Sequence, residues 1–171
     1  MTRPTGPPVR IRELRRGEYH PVDAVFAGLS PRSRYLRFHT GMPHLPNAVR
    51  EALVAVDGVR HVALVAERDP GAEPIGIARL IATSPDRAEL AIAVIDAWHR
   101  RGVGRQLLDE LLQRAVKAGY RELTAVVLPH NEAIRRVLHE AFPDMRAKLH
   151  DGVYELTCPI DPGAVLARAL I

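Results

Sequence analysis

Residues Val9-Arg10-Ile11-Arg12-Glu13-Leu14 alternate apolar and polar side chains, and this period of two predicts a half-buried strand with Val9 and Ile11 on one face. From His20 to Phe38 the spacing turns helical. It is broken at Ser30-Pro31, where Ser30 is a natural cap and Pro31 suits a first helical position, so two short helices are predicted. Asn47 is placed to cap a third helix carrying Val49, Leu53 and Val56. Residues 61–67 and 73–82 are apolar and rich in β-formers, and Asp69-Pro70-Gly71 between them reads as the turn of a hairpin. Residues 88–95 add a third strand after the Ser84-Pro85-Asp86 turn.

Val103, Leu107, Leu108, Leu111, Leu112, Ala115 and Val116 then recur at helical spacing up to Gly119, a C-terminal stop, and form the strongest helical pattern in the chain. Residues 123–128 read as a buried strand, 131–141 as a helix, and 145–160 as two strands about Asp151-Gly152. Strands alternating with helices in the second half imply a parallel crossover within a mixed sheet, an α/β domain. Residues 1–8 hold three prolines and a glycine and read as a flexible tail, 9–160 as one domain, and 161–171 as a C-terminal extension.

Composition changes this picture little. At 171 residues the chain has room for one core, and 47% hydrophobic with 26% charged residues is ordinary for a globular protein. No apolar run approaches the ~20 residues needed to cross a bilayer, and the N-terminus lacks a signal-peptide core, so a cytoplasmic location is expected without membrane attachment. The single cysteine, Cys158, cannot form an internal disulfide or a cysteine cage. The histidines show no zinc spacing, and no metal is expected. The net charge is +4, but 22 of the 24 basic residues are arginines scattered along the chain, which argues against a specific nucleic-acid surface.

The chemistry concentrates at residues 92–105, Ile-Ala-Val-Ile-Asp-Ala-Trp-His-Arg-Arg-Gly-Val-Gly-Arg, where a strand turns tightly into a helix. Unpaired N–H groups at a helix start, the helix dipole and glycines that admit a close approach make an anion site, and Arg100, Arg101 and Arg105 add charge at the same end. Glycine is equally demanded by the turn itself. The segment is neither a P-loop nor a dinucleotide fingerprint, since no Gly-Lys-Ser/Thr follows and Leu107 occupies the third glycine position.

His99-Arg100-Arg101-Gly102-Val103-Gly104 resembles the acetyl-CoA motif of GNAT acetyltransferases, Gln/Arg-x-x-Gly-x-Gly/Ala, departing from it at His99. Asn131-x-x-Ile134-x-x-Val137-x-x-x-Ala141-Phe142 is similar to the family's second motif. The resemblance implies a GNAT fold, a central mixed and mostly antiparallel sheet of six to seven strands flanked by helices, with two helices ahead of the hairpin. It implies acetyl-CoA as co-substrate. Ile92, Ala93 and Val94 would offer main-chain groups to the pantetheine arm, His99 through Arg105, including Gly102, Val103 and Gly104, would hold the pyrophosphate, and Asn131 would line the cofactor path. Leu29-Ser30-Pro31-x-Ser33-x-Tyr35-Leu36-Arg37-Phe38, residues 61–66 and Ala88-Glu89-Leu90-Ala91 resemble bacterial protein-lysine acetyltransferases, whose targets include acyl-CoA synthetases.

Strand periodicity puts Glu89 on one face with Ala91, Ala93 and Ile95, and small neighbours leave room for a substrate. Desolvation there would raise a carboxyl pKa toward that of a general base. Glu89 also matches the glutamate proposed as base in the lysine-modifying relatives. The other reading is a solvated strand charge or a partner of Arg79 on the next strand. Many relatives carry a tyrosine acid on the second-motif helix; Val137 stands at that position. Tyr35, Tyr120 and Tyr154 are expected at the core or rim, His130 is expected to be a plain loop residue, and Trp98 is expected to cover the turn.

The expectation is therefore an acetyl-CoA-dependent N-acetyltransferase acting on a primary amine, foremost a protein lysine. The alternatives are a small-amine acetyltransferase of the same fold and a non-catalytic acyl-CoA-binding module.

Overall fold

The computed structural model of the chain describes residues 8–69 and 71–170. In chain order the elements are β1 (Val9–Glu13), α1 (Tyr19–Gly28), α2 (Pro31–Phe38), α3 (Asn47–Val54), β2 (His61–Arg68), β3 (Glu73–Ser84), β4 (Arg87–Val94), a single 3-10 turn (Asp96–Trp98), α4 (Val103–Lys117), β5 (Glu122–Val127), α5 (Glu132–Ala141), β6 (Arg146–His150), β7 (Val153–Pro159) and α6 (Pro162–Ala169). The seven strands form one sheet in the order β1-β2-β3-β4-β5-β7-β6. Every neighbouring pair is antiparallel except β4 and β5, which α4 joins as a parallel crossover.

The two faces of the sheet are sorted by period two. Leu64, Ala66, Ala78, Leu80, Leu90, Leu123 and Leu156 meet Leu107, Leu108, Leu111 and Leu112 of α4 and Leu138 of α5. On the other face Ala63, Val65 and Ile77 pack under α1 and α3 through Val22, Val25 and Val54. Each fully buried leucine contributes roughly 1.5–3 kcal/mol from removing its side chain from water. One polar pair enters this frame: Glu67, only 4% exposed, is held by Arg12 at 2.7 Å, and Arg12 also reaches Glu18 at 2.6 Å.

Local signals explain most boundaries. The Ser30 hydroxyl accepts from Ser33 N–H at 3.1 Å, with Pro31 at the first position of α2. Gly119, at φ +83°, follows α4 in the left-handed region that favours glycine. Asp151 and Gly152, at φ 48° and 77°, make the tight β6–β7 turn.

The structure corrects four expectations. Asn47 does not cap α3 but begins it, after Pro46, which has no side chain to accept with. Three helices precede β2, as the helical spacing predicts, one more than the family order implies. The residues beyond Ile160 are not a bare extension: Asp161 accepts from Ala164 N–H at 3.2 Å, Pro162 starts α6, and Val165 joins the core beside α4. Pro8, assigned to the tail, accepts from Asp69 N–H at 3.0 Å and so belongs to the sheet edge, while the rest of that tail lies outside the described residues. Among the described residues no helix is long and apolar enough to cross a membrane.

Candidate functional site

The parallel pairing of β4 with β5 lasts three rungs, Arg87↔Glu122, Ala88↔Leu123 and Glu89↔Thr124, and then stops. β4 continues to Val94 bonded only to β3, and β5 continues to Val127 bonded only to β7. The two central strands therefore splay apart and open a cleft within the sheet. Ile95 N–H donates to Ile75 O at 2.9 Å, so odd-numbered residues of this strand turn their main-chain groups toward β3. Ile92 and Val94 turn theirs into the cleft, where partly buried peptide groups need partners. This sorts the three residues assigned to the pantetheine arm. Ile92 and Val94 face the cleft, whereas the main chain of Ala93 is taken by Ile77.

At the mouth of the cleft the chain passes through the 3-10 turn into α4, with Gly102 at φ +79° as the residue before the helix. Arg100 also takes a left-handed conformation, φ 60°, an uncommon backbone for a residue other than glycine. A Cβ on Gly104 would stand 3.9 Å from Val94 Cγ2, so the first turn of α4 lies against the strand end. The N–H groups of that turn, including Val103, have no partner within the helix and carry its positive dipole end.

The side chains around this mouth do not all point the same way. His99 Nε2 lies 2.7 Å from Val94 O; a carbonyl can only accept, so the ring donates and occupies the last cleft-facing carbonyl of β4. Arg101 covers the Trp98 ring at 5.0 Å, and Trp98 packs on the core as a cover for the turn. Arg105 is drawn along the helix to Asp109 at 3.1 Å and across to Glu140 at 3.7 Å, so its charge is shared with carboxylates. Arg100 is exposed.

On the face of the sheet under α2, Glu89 sits opposite Ile81 and beside the Ala91↔Arg79 and Ala93↔Ile77 rungs. It shares a face with the alanines as the periodicity implies, but it is exposed, so the chain alone does not supply the enclosure expected of it. Nor is it spent on Arg79, whose Nη1 donates to Leu53 O at 3.0 Å and to His61 Nε2 at 2.8 Å. Asn131 accepts from Ile134 N–H at 3.5 Å and caps α5, at the head of the helix that follows β5.

Three relationships have no counterpart in the sequence reading. Asp96 accepts from Ser30 N–H at 2.8 Å and from Ser33 Oγ at 3.0 Å, fastening α2 to the end of β4. Partial burial pushes its carboxyl up, but the serine hydrogen bonds outweigh this and leave it below the ordinary aspartate value. Tyr35 of α2 stacks on His130, centroids 6.1 Å apart and nearly parallel, joining α2 to the loop before α5. Arg37 and Arg79 line one small cavity. Ser30 and Asp96 are 66 residues apart, and no local pattern links residues so distant. Cys158 is buried, and burial pushes its thiol up to about 12, which removes it as a nucleophile. A groove of about 730 Å³ lies away from all of this, between the C-terminal half of α4 and Val62 and Leu80.

The comparisons with known proteins agree with this geometry. Residues 29–142 match the model of the acetyltransferase (GNAT) family. An acetyltransferase of Pseudomonas aeruginosa is 27% identical over 130 residues, covering 74% of this chain and 70% of its own. Among solved structures, the GNAT domain of S. lividans PAT superposes with a TM-score of 0.79 at 29% identity, covering 89% of this chain and 90% of that one. An acetyltransferase-like protein of Salmonella typhimurium, solved with acetyl-CoA, gives 0.66 at 16% identity, covering 90% and 94%, a likeness of fold. The matched segment spans the α2 clamp, the splayed strands, the turn into α4 and the α5 cap, and the chain belongs to the GNAT acetyltransferase family.

Proposed function

We propose that the protein moves acetyl from acetyl-CoA directly onto a primary amine, a lysine side chain of another protein, with Glu89 as general base. The observation that carries this reading is the position of Glu89 on the last paired rung, Glu89↔Thr124, where β4 and β5 begin to part. A carboxylate there stands at the apex of the cleft, on the exposed face, beside the point where a thioester reaching along Ile92 and Val94 ends.

Acetyl-CoA, when bound, supplies an acyl group already activated as a thioester. The residues present suit it: cleft-facing peptide groups at Ile92 and Val94 match the amides of a pantetheine arm, and the start of α4 matches a diphosphate. A free lysine, pKa ~10.4, is almost wholly ammonium at neutral pH, so the amine must lose a proton before it attacks. Glu89 takes that proton, directly or through a water molecule. As the N–C bond forms and the C–S bond breaks, a cleft-facing main-chain N–H of β4 near Glu89 would face the oxygen that gains charge. Val137 provides no acid on α5 for the leaving thiolate. The resemblance of residues 29–38, 61–66 and 88–91 to bacterial protein-lysine acetyltransferases supports a protein acceptor.

The test is thiol release from acetyl-CoA with a lysine-bearing acyl-CoA synthetase and a panel of small amines as acceptors. Turnover on the protein is expected. Turnover on a small amine alone selects the small-molecule reading, and acetyl-CoA binding without turnover on any acceptor selects a binding module.

A further inference from the structure

The protein neutralises or occupies most of its partly buried guanidiniums. Arg12 is held by Glu18 and Glu67, Arg50 by Asp23 at 2.7 Å, and Arg34 by the carbonyls of Phe26 and Pro43 at 3.3 and 2.9 Å. Arg37 breaks this habit, and Arg79 behind it is occupied without being neutralised. Arg79 is 4% exposed, and its contacts are a carbonyl and an imidazole, neither of which carries a negative charge. Arg37 is half-buried and lies over the Phe38 ring at 4.9 Å. Among the described residues neither forms an ion pair.

The two side chains line the same cavity of about 30 Å³, walled by apolar groups including Phe26, Leu53 and Ile77. Two cations in an apolar setting with no counter-charge are costly. Burial, reinforced by Arg37, brings the Arg79 guanidinium down to about 9. Burial also lowers Arg37, and the charge of Glu89 offsets part of that. Arg79, opposite Ala91, is the diagonal same-face neighbour of Glu89, opposite Ile81, and Arg37 shares the cavity of Arg79, so Arg37 lies on the side of the sheet that carries the proposed base and is paired with neither.

We infer that the acceptor carries a carboxylate next to its accepting amine, and that Arg37, backed by Arg79, binds it. The inference rests on the reading of Glu89 as the group that meets the amine. An ammonium at Glu89 places whatever flanks the amine in front of Arg37, where a guanidinium with free N–H groups binds a carboxylate by charge-assisted hydrogen bonds. The cavity has room for about one water molecule, so the carboxylate sits at the outer, half-exposed side of Arg37 and Arg79 acts as a positioning residue from behind. The same chemistry is offered by an acidic side chain beside a protein lysine and by the carboxylate of a free amino acid.

The experiment compares kcat/KM of the full chain and of Arg37→Gln on two lysine peptides that differ only in Glu or Gln beside the lysine, and on lysine against lysinamide. The wild type is expected to prefer the Glu peptide by about tenfold or more, as befits one charge-assisted contact. Arg37→Gln abolishes the preference without changing the KM for acetyl-CoA, and Arg37→Lys restores part of it. A preference for lysine over lysinamide with none between the peptides assigns the carboxylate to a free amino acid and discards the protein acceptor. Equal rates within both pairs in the wild type overturn the inference. If no acceptor is turned over, the reading of Glu89 has failed by itself, and glutarate then reports on the anion site. A rise in wild-type Tm with glutarate that is absent in Arg37→Gln supports the site, and a flat titration in both overturns it.

Discussion

The His99 ring donates to the carbonyl of Val94 across 2.7 Å, tying the loop that leads into α4 back to the end of the strand that edges the cleft. The family motif carries Gln or Arg where this chain has His99, so the side chain here braces the turn. His99→Ala removes one hydrogen bond, about 1 kcal/mol, and is expected to lower the unfolding midpoint by about 2–4 °C and to weaken acetyl-CoA binding about fivefold by calorimetry. An unchanged Kd contradicts the bracing role.

Arg12 neutralises the buried Glu67. Removing one partner strands the other, so Arg12→Met is expected to cost about 3 kcal/mol in urea unfolding, at the low end for a buried pair because Arg12 itself is partly exposed. Arg12→Met with Glu67→Met recovers most of that loss. Equal destabilisation by the single and double variants argues against the pair.

Stability also depends on two histidines. His61 accepts from Arg79 at Nε2, and burial first, then the Arg79 charge, holds its pKa below the ordinary value. Burial and Arg37 lower His39 in the same way. The unfolded chain, whose histidines titrate near ~6.5, therefore binds these protons more readily than the folded one. Their contribution is fully present above that pH and is lost as pH falls through the lower folded values. The Tm is expected to drop as pH falls from about 7 into the mildly acid range, and to drop less in His61→Gln. Glu18 and Asp23, whose pKa values their arginine partners lower, contribute only in the acid range below this window. An identical slope in His61→Gln contradicts the assignment.

Gly28 ends α1 against Ile95, and a Cβ there would stand 2.5 Å from Ile95 Cγ2. Gly28→Ala must push α1 away from the strand end, at a cost of about 1–3 kcal/mol by overpacking. Because Ile95 adjoins Asp96 and its clamp on α2, the acceptor KM is expected to rise more than that for acetyl-CoA. Equal changes in both constants would mean that α1 does not position the acceptor side.

Local order was legible where it depends on neighbours in the chain. Ser30-Pro31 announces α2, the leucines from Leu107 to Leu112 announce α4, and Asp151-Gly152 announces the last turn. The Asp161-Pro162 signal for α6 has the same form as Ser30-Pro31 and is equally readable. The site was legible only as a segment. Register across the α4 crossover decides where β4 leaves β5, and no periodicity in either strand contains it. The same holds for Arg105, whose second carboxylate comes from α5, and for the exposure of Glu89, which depends on what covers the sheet face. Arg37 follows Arg32 and Arg34 along α2 with nothing in the sequence to single it out, and only the packing of α2 on the sheet sets it apart from Arg34.

The most direct test is the thiol-release rate of Glu89→Gln on the acceptor that the wild type uses best, with acetyl-CoA affinity measured alongside. With Glu89 as the base, kcat falls by about 10²–10⁴-fold, the usual worth of a positioned general base, and the Kd for acetyl-CoA is unchanged. A rate within a few-fold of wild type would show that Glu89 is not the group that takes the proton.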